Sequence, residues 1–210
     1  MRRTTLLTCA ALLGAPAVAA PTAPSWEQVF GDVQGPLHLK ATYQGRQGQA
    51  QPLEFWRAAS GQVVRRTGGR AELRLIPAAD GEDLYQLRNL QKRTAFLVHR
   101  VNLYRVGIFT DRWGVQHLLD RPVSGAAVQD LKRGSVVAGQ ACHWWRIQPA
   151  GQAAQQVCWA ARLGVPLQLK AAGHTLLTVT AVQRSAQPWP SSQLPQGWQE
   201  FNADEDIAPD

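Results

Sequence analysis

Long apolar runs are missing from this 210-residue chain. The run from Leu6 to Leu13 is too short to cross a bilayer, and no later stretch is longer, so a membrane-spanning helix is excluded as an expectation. Metal-ligand spacing is missing as well. The five histidines, His38, His99, His117, His143 and His174, form no HxH or HExxH pattern. No GxSxG elbow marks a nucleophile, and the proximity of His117, Asp120 and Ser124 is what chance supplies. Asp204, Asp206 and Asp210 lack the glycine and terminal glutamate of a calcium loop. Without a base, a nucleophile and an oxyanion donor in one pattern, the chain reads as a non-enzyme that needs no cofactor and no metal, with an unrecognised hydrolase only as a third reading behind the two given below. Cysteine is scarce, with three residues, and methionine is scarcer, with one.

What is present begins at the amino terminus. Arg2 and Arg3 precede the apolar run, and Ala17-Val18-Ala19 is a small-residue cleavage site. Residues 1–19 therefore read as a secretory signal, with the rest exported to the periplasm as a soluble protein. A lipoprotein signal is excluded, because Cys9 lies too early and follows Thr8. About 190 residues remain after cleavage, enough for one domain, 20–210, with a real core. Removing Arg2 and Arg3 lowers the formal charge from +7 to +5. That basic balance suits an anionic surface or ligand, while export and the lack of any motif argue against nucleic acid. Eight tryptophans against three tyrosines and five phenylalanines imply a large apolar interior, a cavity, or both.

Export leaves Cys142 and Cys158 in an oxidising compartment. Pro149, Ala150 and Gly151 lie midway between them. A hairpin folded there sets Cys142 against Cys158, His143 against Val157 and Trp145 against Gln155, and a structural disulfide follows.

Along the chain, Ser25-Trp26-Glu27-Gln28 is a capping box opening a short helix through Trp26, Val29, Phe30 and Val33. Gly35-Pro36 ends it. The period then switches to two. Six short strands are expected between Leu37 and His99, with turns at Gly45–Gly48, Gly61, Gly68-Gly69, Asp80-Gly81 and Gln91-Lys92. Asp111 caps a helix through Trp113, Val115, Leu118 and Leu119, which Pro122 stops. A second short helix is expected over 124–132. Strands resume near Ser135 and Ala141, then Gln155, Pro166 and His174. The tail from Ala186 carries Trp189 and Trp198 and is expected to pack back across the barrel, while the acidic end from Asp204 is expected to be loose. A strongly curved antiparallel sheet with helices over its open face would close the core.

This order resembles the periplasmic lipoprotein-carrier superfamily, the LolA/LolB-like proteins and the RseB-like regulators. The stretches that carry the resemblance are the opening helix leading into Gly35-Pro36-Leu37-His38-Leu39, then Phe55-Trp56-Arg57 through Arg70-Ala71-Glu72-Leu73-Arg74-Leu75 to Asp83-Leu84-Tyr85-Gln86-Leu87. The last is Leu163-Gly164-Val165-Pro166-Leu167-Gln168-Leu169, a strand to Val182, and Leu194-Pro195-Gln196-Gly197-Trp198. These are turn and alternation patterns spanning most of the mature chain. The resemblance implies a mostly β fold: an unclosed antiparallel β-barrel of about eleven strands with a helical lid and an apolar cavity. It also implies a role in binding acyl chains or lipoproteins, as in outer membrane lipoprotein sorting. The chain departs from the pattern in lacking a lipobox, in having one domain, and in its cysteine hairpin.

Two site readings stay open on the sequence. In the first, Leu37, Leu39, Leu53, Phe55, Leu73 and Leu75 face inward, with Trp113, Leu118 and Leu119 of the lid above, and together they line a ligand cavity for a hydrophobic ligand or a lipoprotein acyl chain. In the second the same residues fill a dry core. Arg57, Arg66, Arg70 and Arg74 form a basic face in that case, one that docks a cell-envelope protein partner or an anionic surface. A large inward residue such as Trp56 would favour the filled core.

Overall fold

The computed structural model describes residues 23–33, 35–45, 48–108, 110–122 and 125–205. The signal segment, Ser124, Asp206 and Asp210 lie outside the described residues. Among those described, no helix is long and apolar enough to cross a membrane.

The first helix, α1 (Trp26–Val29), starts where its capping box requires. The Ser25 hydroxyl accepts from the Gln28 amide, and the Gln28 side chain accepts from the Ser25 amide. Six antiparallel strands follow: β1 (Leu37–Gln44), β2 (Ala50–Arg57), β3 (Val63–Thr67), β4 (Ala71–Ile76), β5 (Leu84–Asn89) and β6 (Thr94–His99). A 3-10 helix (Arg100–Val106) and α2 (Arg112–His117) form the insertion, with Asp111 capping α2 through the Gly114 amide. The remaining strands are β7 (Ala126–Val137), β8 (Gln140–Pro149), β9 (Gln155–Ala160), β10 (Val165–Ala171), β11 (His174–Gln183) and β12 (Gln199–Asn202).

All twelve strands of the described residues belong to one open sheet, ordered β12-β6-β5-β4-β3-β2-β1-β11-β10-β9-β8-β7. The join between β1 and β11 unites the two halves of the chain, as Leu39 meets Val182 and Tyr43 meets Leu177. The sheet is not closed into a barrel, and its strand count is one above the eleven implied by the resemblance. The extra strand is β12, which lies parallel to β6 (Phe201 opposite Phe96) where every other neighbour is antiparallel. Four residues without clean alternation gave no sequence signal for it.

The register sorts the side chains. Leu37, Leu39, Leu53, Phe55, Leu73, Leu75 and Tyr85 share the concave face with Arg57 and Arg65. Trp56 pairs with His38 and Val64 on the convex face instead, where its ring stacks on His38 at 4.8 Å. The convex face is also buried in part. Four consecutive residues of β4, Glu72, Leu73, Arg74 and Leu75, are no more than 6% exposed, so both faces are covered there.

The cover includes the carboxyl-terminal tail. It must run from β11 to β12, across seven strand spacings or about 34 Å, and its fifteen or so residues can reach about 50 Å when extended. Arg74 donates to the carbonyls of Pro190 and Ser191, and Arg88 to those of Ser191 and Ser192. The expected packing of the tail is found, but its end is not loose at Asp204. That carboxylate accepts from the His99 amide, the His99 ring (2.7 Å) and the Asn102 side chain (2.6 Å).

The expected helix over 124–132 is overturned. Those of its residues that are described belong to β7, paired with β8 from Ala126 opposite Pro149 to Val137 opposite Gln140. A bulge lies between Asp130 and Gly134, with Lys132 at φ 52° and its amide donating to the Asp130 carboxylate. Of the helix-spaced pair, Val128 is laddered opposite Ile147 while Leu131 falls within that bulge, and a full ladder outweighs so short a helical pattern. A two-residue turn at Ala138-Gly139, both at positive φ, fixes the hairpin.

Cys142 and Cys158 form the expected disulfide, with Cα atoms 5.3 Å apart. The expected register is two residues off: Trp144 stands opposite Cys158, and Trp145 opposite Val157. A shift of two keeps every side chain on its face, so the bridge forms diagonally. Reduction, or Cys142→Ser, is expected to lower stability by about 3 kcal/mol, since a loop of this length is released in the unfolded chain. Urea unfolding with and without a reductant checks this.

Candidate functional site

Two helices close the concave face. Trp26 of α1 and Phe30, its C-cap, join Trp113, Leu119, Val157 and Trp159 in one apolar cluster, with Trp113 stacked on His117 at 4.4 Å. His117 is fully buried, and its Nδ1–H donates to the Trp113 carbonyl at 2.8 Å. Its other ring nitrogen lies 3.3 Å from Asp32. Burial pulls the imidazole below its usual pKa, the carbonyl bond opposing this.

Arg57 locks these pieces together. Its guanidinium donates to the carbonyls of Gly35 (3.1 Å), Gln116 (3.0 Å) and Leu163 (2.6 Å). One side chain thus ties the segment after α1, the end of α2 and the β9–β10 turn to β2. That turn needs glycine at 164, where φ is 64° and a Cβ would come within 2.8 Å of the Val33 Cβ.

The nine residues expected to line a cavity are all buried, at 9% exposure or less. Leu37, Leu39, Leu53, Phe55, Leu73, Leu75 and Leu118 pack in the main core, while Trp113 and Leu119 pack in the cluster under α1. An open space of about 680 Å³ lies at one end of the concave face, and of those nine residues only Leu53 and Leu118 line it. Its other walls include Tyr43, Gln44, Arg65, Thr67, Asp120, Leu169, Leu176 and Leu177. Most of these carried no sequence signal, because β10 and β11 approach β3 only through the curvature of the sheet. Arg65 could have been found, since it shares the parity of Val63 and Thr67 opposite Phe55 and Leu73.

The expected basic face does not exist as one surface. Arg57 is 3% exposed and Arg74 4%, each spent on backbone carbonyls or on Glu72. Arg57 lies on the concave face, and Arg66 and Arg74 on the convex. Arg70 is exposed in the β3–β4 turn. The carboxylate of Glu72 collects Arg66 and Arg74 at 2.6 Å each and Arg88 at 3.3 Å. A smaller apolar pocket of about 390 Å³ lies further across the sheet, between Leu87, Phe96 and Val106. Among the described residues no cluster of His, Cys, Asp and Glu could hold a metal ion.

No protein-family model matches the sequence, and no curated protein does. Solved structures are similar in fold. An uncharacterized conserved protein from Thermus thermophilus aligns over 80% of this chain and 91% of its own, with 9% identity and a TM-score of 0.50. MucB aligns over 79% of this chain and 58% of its own, with 19% identity and a TM-score of 0.43. The Pseudomonas aeruginosa MucA/MucB complex aligns over 70% of this chain and 51% of that one, with 15% identity and a TM-score of 0.38. The chain thus spans a little over half the length of the MucB chains. Its fold is the open, strongly curved β-sheet with a helical cover that the LolA/LolB-like and RseB-like resemblance implied from the sequence.

Proposed function

We propose that this chain is a noncatalytic binding protein of the bacterial periplasm that holds a hydrophobic ligand, an acyl chain of a lipid or lipoprotein, in the pocket between β3, β10, β11 and the end of α2. The observation that carries this reading is the pocket itself. Its volume, about 680 Å³, falls in the range of about 300–1,000 Å³ usual for small-molecule sites, and five leucines contribute to its walls. Burying an acyl chain there would contribute about 0.8 kcal/mol per methylene. The signal-like amino terminus and the superfamily resemblance support the location and the ligand class. The deep interior is packed, so the ligand enters at the mouth of the sheet rather than along its length.

Leu169→Trp tests the pocket. Leu169 is half-buried and lines it, and indole bulk there would occupy the space. The variant is expected to fold and to lose at least about tenfold in affinity for a fluorescent fatty-acyl probe, the equivalent of about 1.4 kcal/mol. Unchanged probe binding would overturn the site. Native mass spectrometry of periplasmically purified protein, before and after organic extraction, is expected to show an extractable lipid mass.

A further inference from the structure

Two arginines project from the concave face among apolar neighbours, and their situations differ. Arg57 spends its guanidinium on three carbonyls. Arg65, partly buried, makes no hydrogen bond from its guanidinium to a described residue. Its cross-strand neighbours are Phe55 and Leu73, 0% and 6% exposed, so nothing beside it in the sheet offsets its charge. The nearest compensation is Asp120, which is exposed, lines the same pocket and forms no ion pair within 4.0 Å with Arg65. Burial lowers the Arg65 pKa, with Asp120 and Tyr43 opposing that effect, yet guanidinium stays charged at any physiological pH. A charged fork of five donors therefore faces a pocket of mixed leucine and polar lining, and no described residue accepts a hydrogen bond from it. No nitrogen of Arg65 is both fully buried and unpartnered, so solvent reaches the fork, and a planar anion matches its donors two at a time.

We propose that Arg65 is the head-group anchor of this pocket and that its ligand is a long-chain carboxylate, a free fatty acid, rather than the neutral ester or amide of an acylated protein. This rests on the acyl-binding reading above and narrows it. The chain lies along Leu53, Leu118, Leu169 and Leu177, and the carboxylate accepts from Arg65. Asp120, at the mouth, weakens that contact by like-charge repulsion, so it discriminates against ligands with further negative charge.

Palmitate and methyl palmitate separate the two claims, because they share the chain and differ in the charge. Binding of both is measured at pH 7.5 by quenching of tryptophan fluorescence, with thermal unfolding as a control for folding. The native chain is expected to bind palmitate at least about tenfold more tightly than the ester, the worth of one charge-assisted bidentate contact. Arg65→Met is expected to abolish that preference while leaving ester binding within about twofold. Asp120→Asn, an exposed change, is expected to raise the preference about two- to fivefold, and it keeps the test decisive if Arg65→Met fails to fold. Equal affinities for acid and ester, or a preference that Asp120→Asn leaves unchanged, would overturn the anchor while leaving acyl binding in place. If neither lipid binds, the acyl-binding reading itself falls.

Discussion

Glu72→Ala is expected to destabilise the fold by about 3–5 kcal/mol, because it leaves buried arginines without their counter-charge. Glu72 is 2% exposed and takes Arg66 and Arg74 at 2.6 Å each. Arg74 and Arg88, 4% and 6% exposed, would remain under the tail. Their bonds to the carbonyls of Pro190, Ser191 and Ser192 do not neutralise them. Arg88 already has its pKa lowered by burial and by the nearby Arg74 charge, with Glu72 opposing. Removing Glu72 therefore loosens the tail first, and limited proteolysis between Ala186 and Trp198 should accelerate along with a lower urea midpoint.

The same carboxylate sets a pH dependence. Burial alone would push its pKa up, but the bonds from Arg66 and Arg74 overcome this and hold it below the ordinary value of 4.5. A group whose folded pKa is depressed binds its proton more readily when unfolded. Its contribution is complete above about pH 4.5 and is lost as pH falls through the folded value. The native chain should lose stability in that acid window, and Glu72→Gln, which cannot titrate, should show a shallower decline. Parallel curves for the two proteins from pH 6 to 2.5 would refute the assignment.

Arg57→Met is expected to cost about 3–4 kcal/mol, since three largely buried carbonyls lose a charged donor together. Burial lowers the pKa of this guanidinium to about 10, with Asp32 opposing, so it remains charged when folded at neutral pH. The loss is concentrated where α1, α2 and the β9–β10 turn meet, and amide exchange in Arg112–Leu118 should rise more than exchange in β4 or β5. Arg57→Lys should recover less than half, because one ammonium on a flexible stem cannot reach Gly35, Gln116 and Leu163 at once. Full recovery by lysine would mean that charge alone, and not the fork, holds the junction.

These two arginine networks also mark the boundary of what the sequence disclosed. Period-two alternation from Leu37 to His99 was sufficient for six strands and for which residues share a face, but only the pairing register showed which face is concave, because a one-residue slip would swap the two. The capping box at Ser25 and the Asp111 cap were equally local, and the cysteine pair needed only a hairpin of the right parity. Three features were not local. The helix expected over 124–132 gave way to β7 because its ladder partner, β8, outweighed a weak helical period. The basic face dissolved because β2, β3 and β4 turn alternate arginines to opposite sides, and because the tail returns across the convex side to cover Arg74. The pocket exists only where the curvature of the sheet brings Arg65 of β3 near Leu169 and Leu177 of β10 and β11, more than a hundred residues away. The sequence by itself determined which residues shun water and at what period. The tertiary structure decided which charges are buried, what satisfies them, and where space is left. Those depend on segments distant in the chain meeting at one place, and no local pattern encodes that meeting.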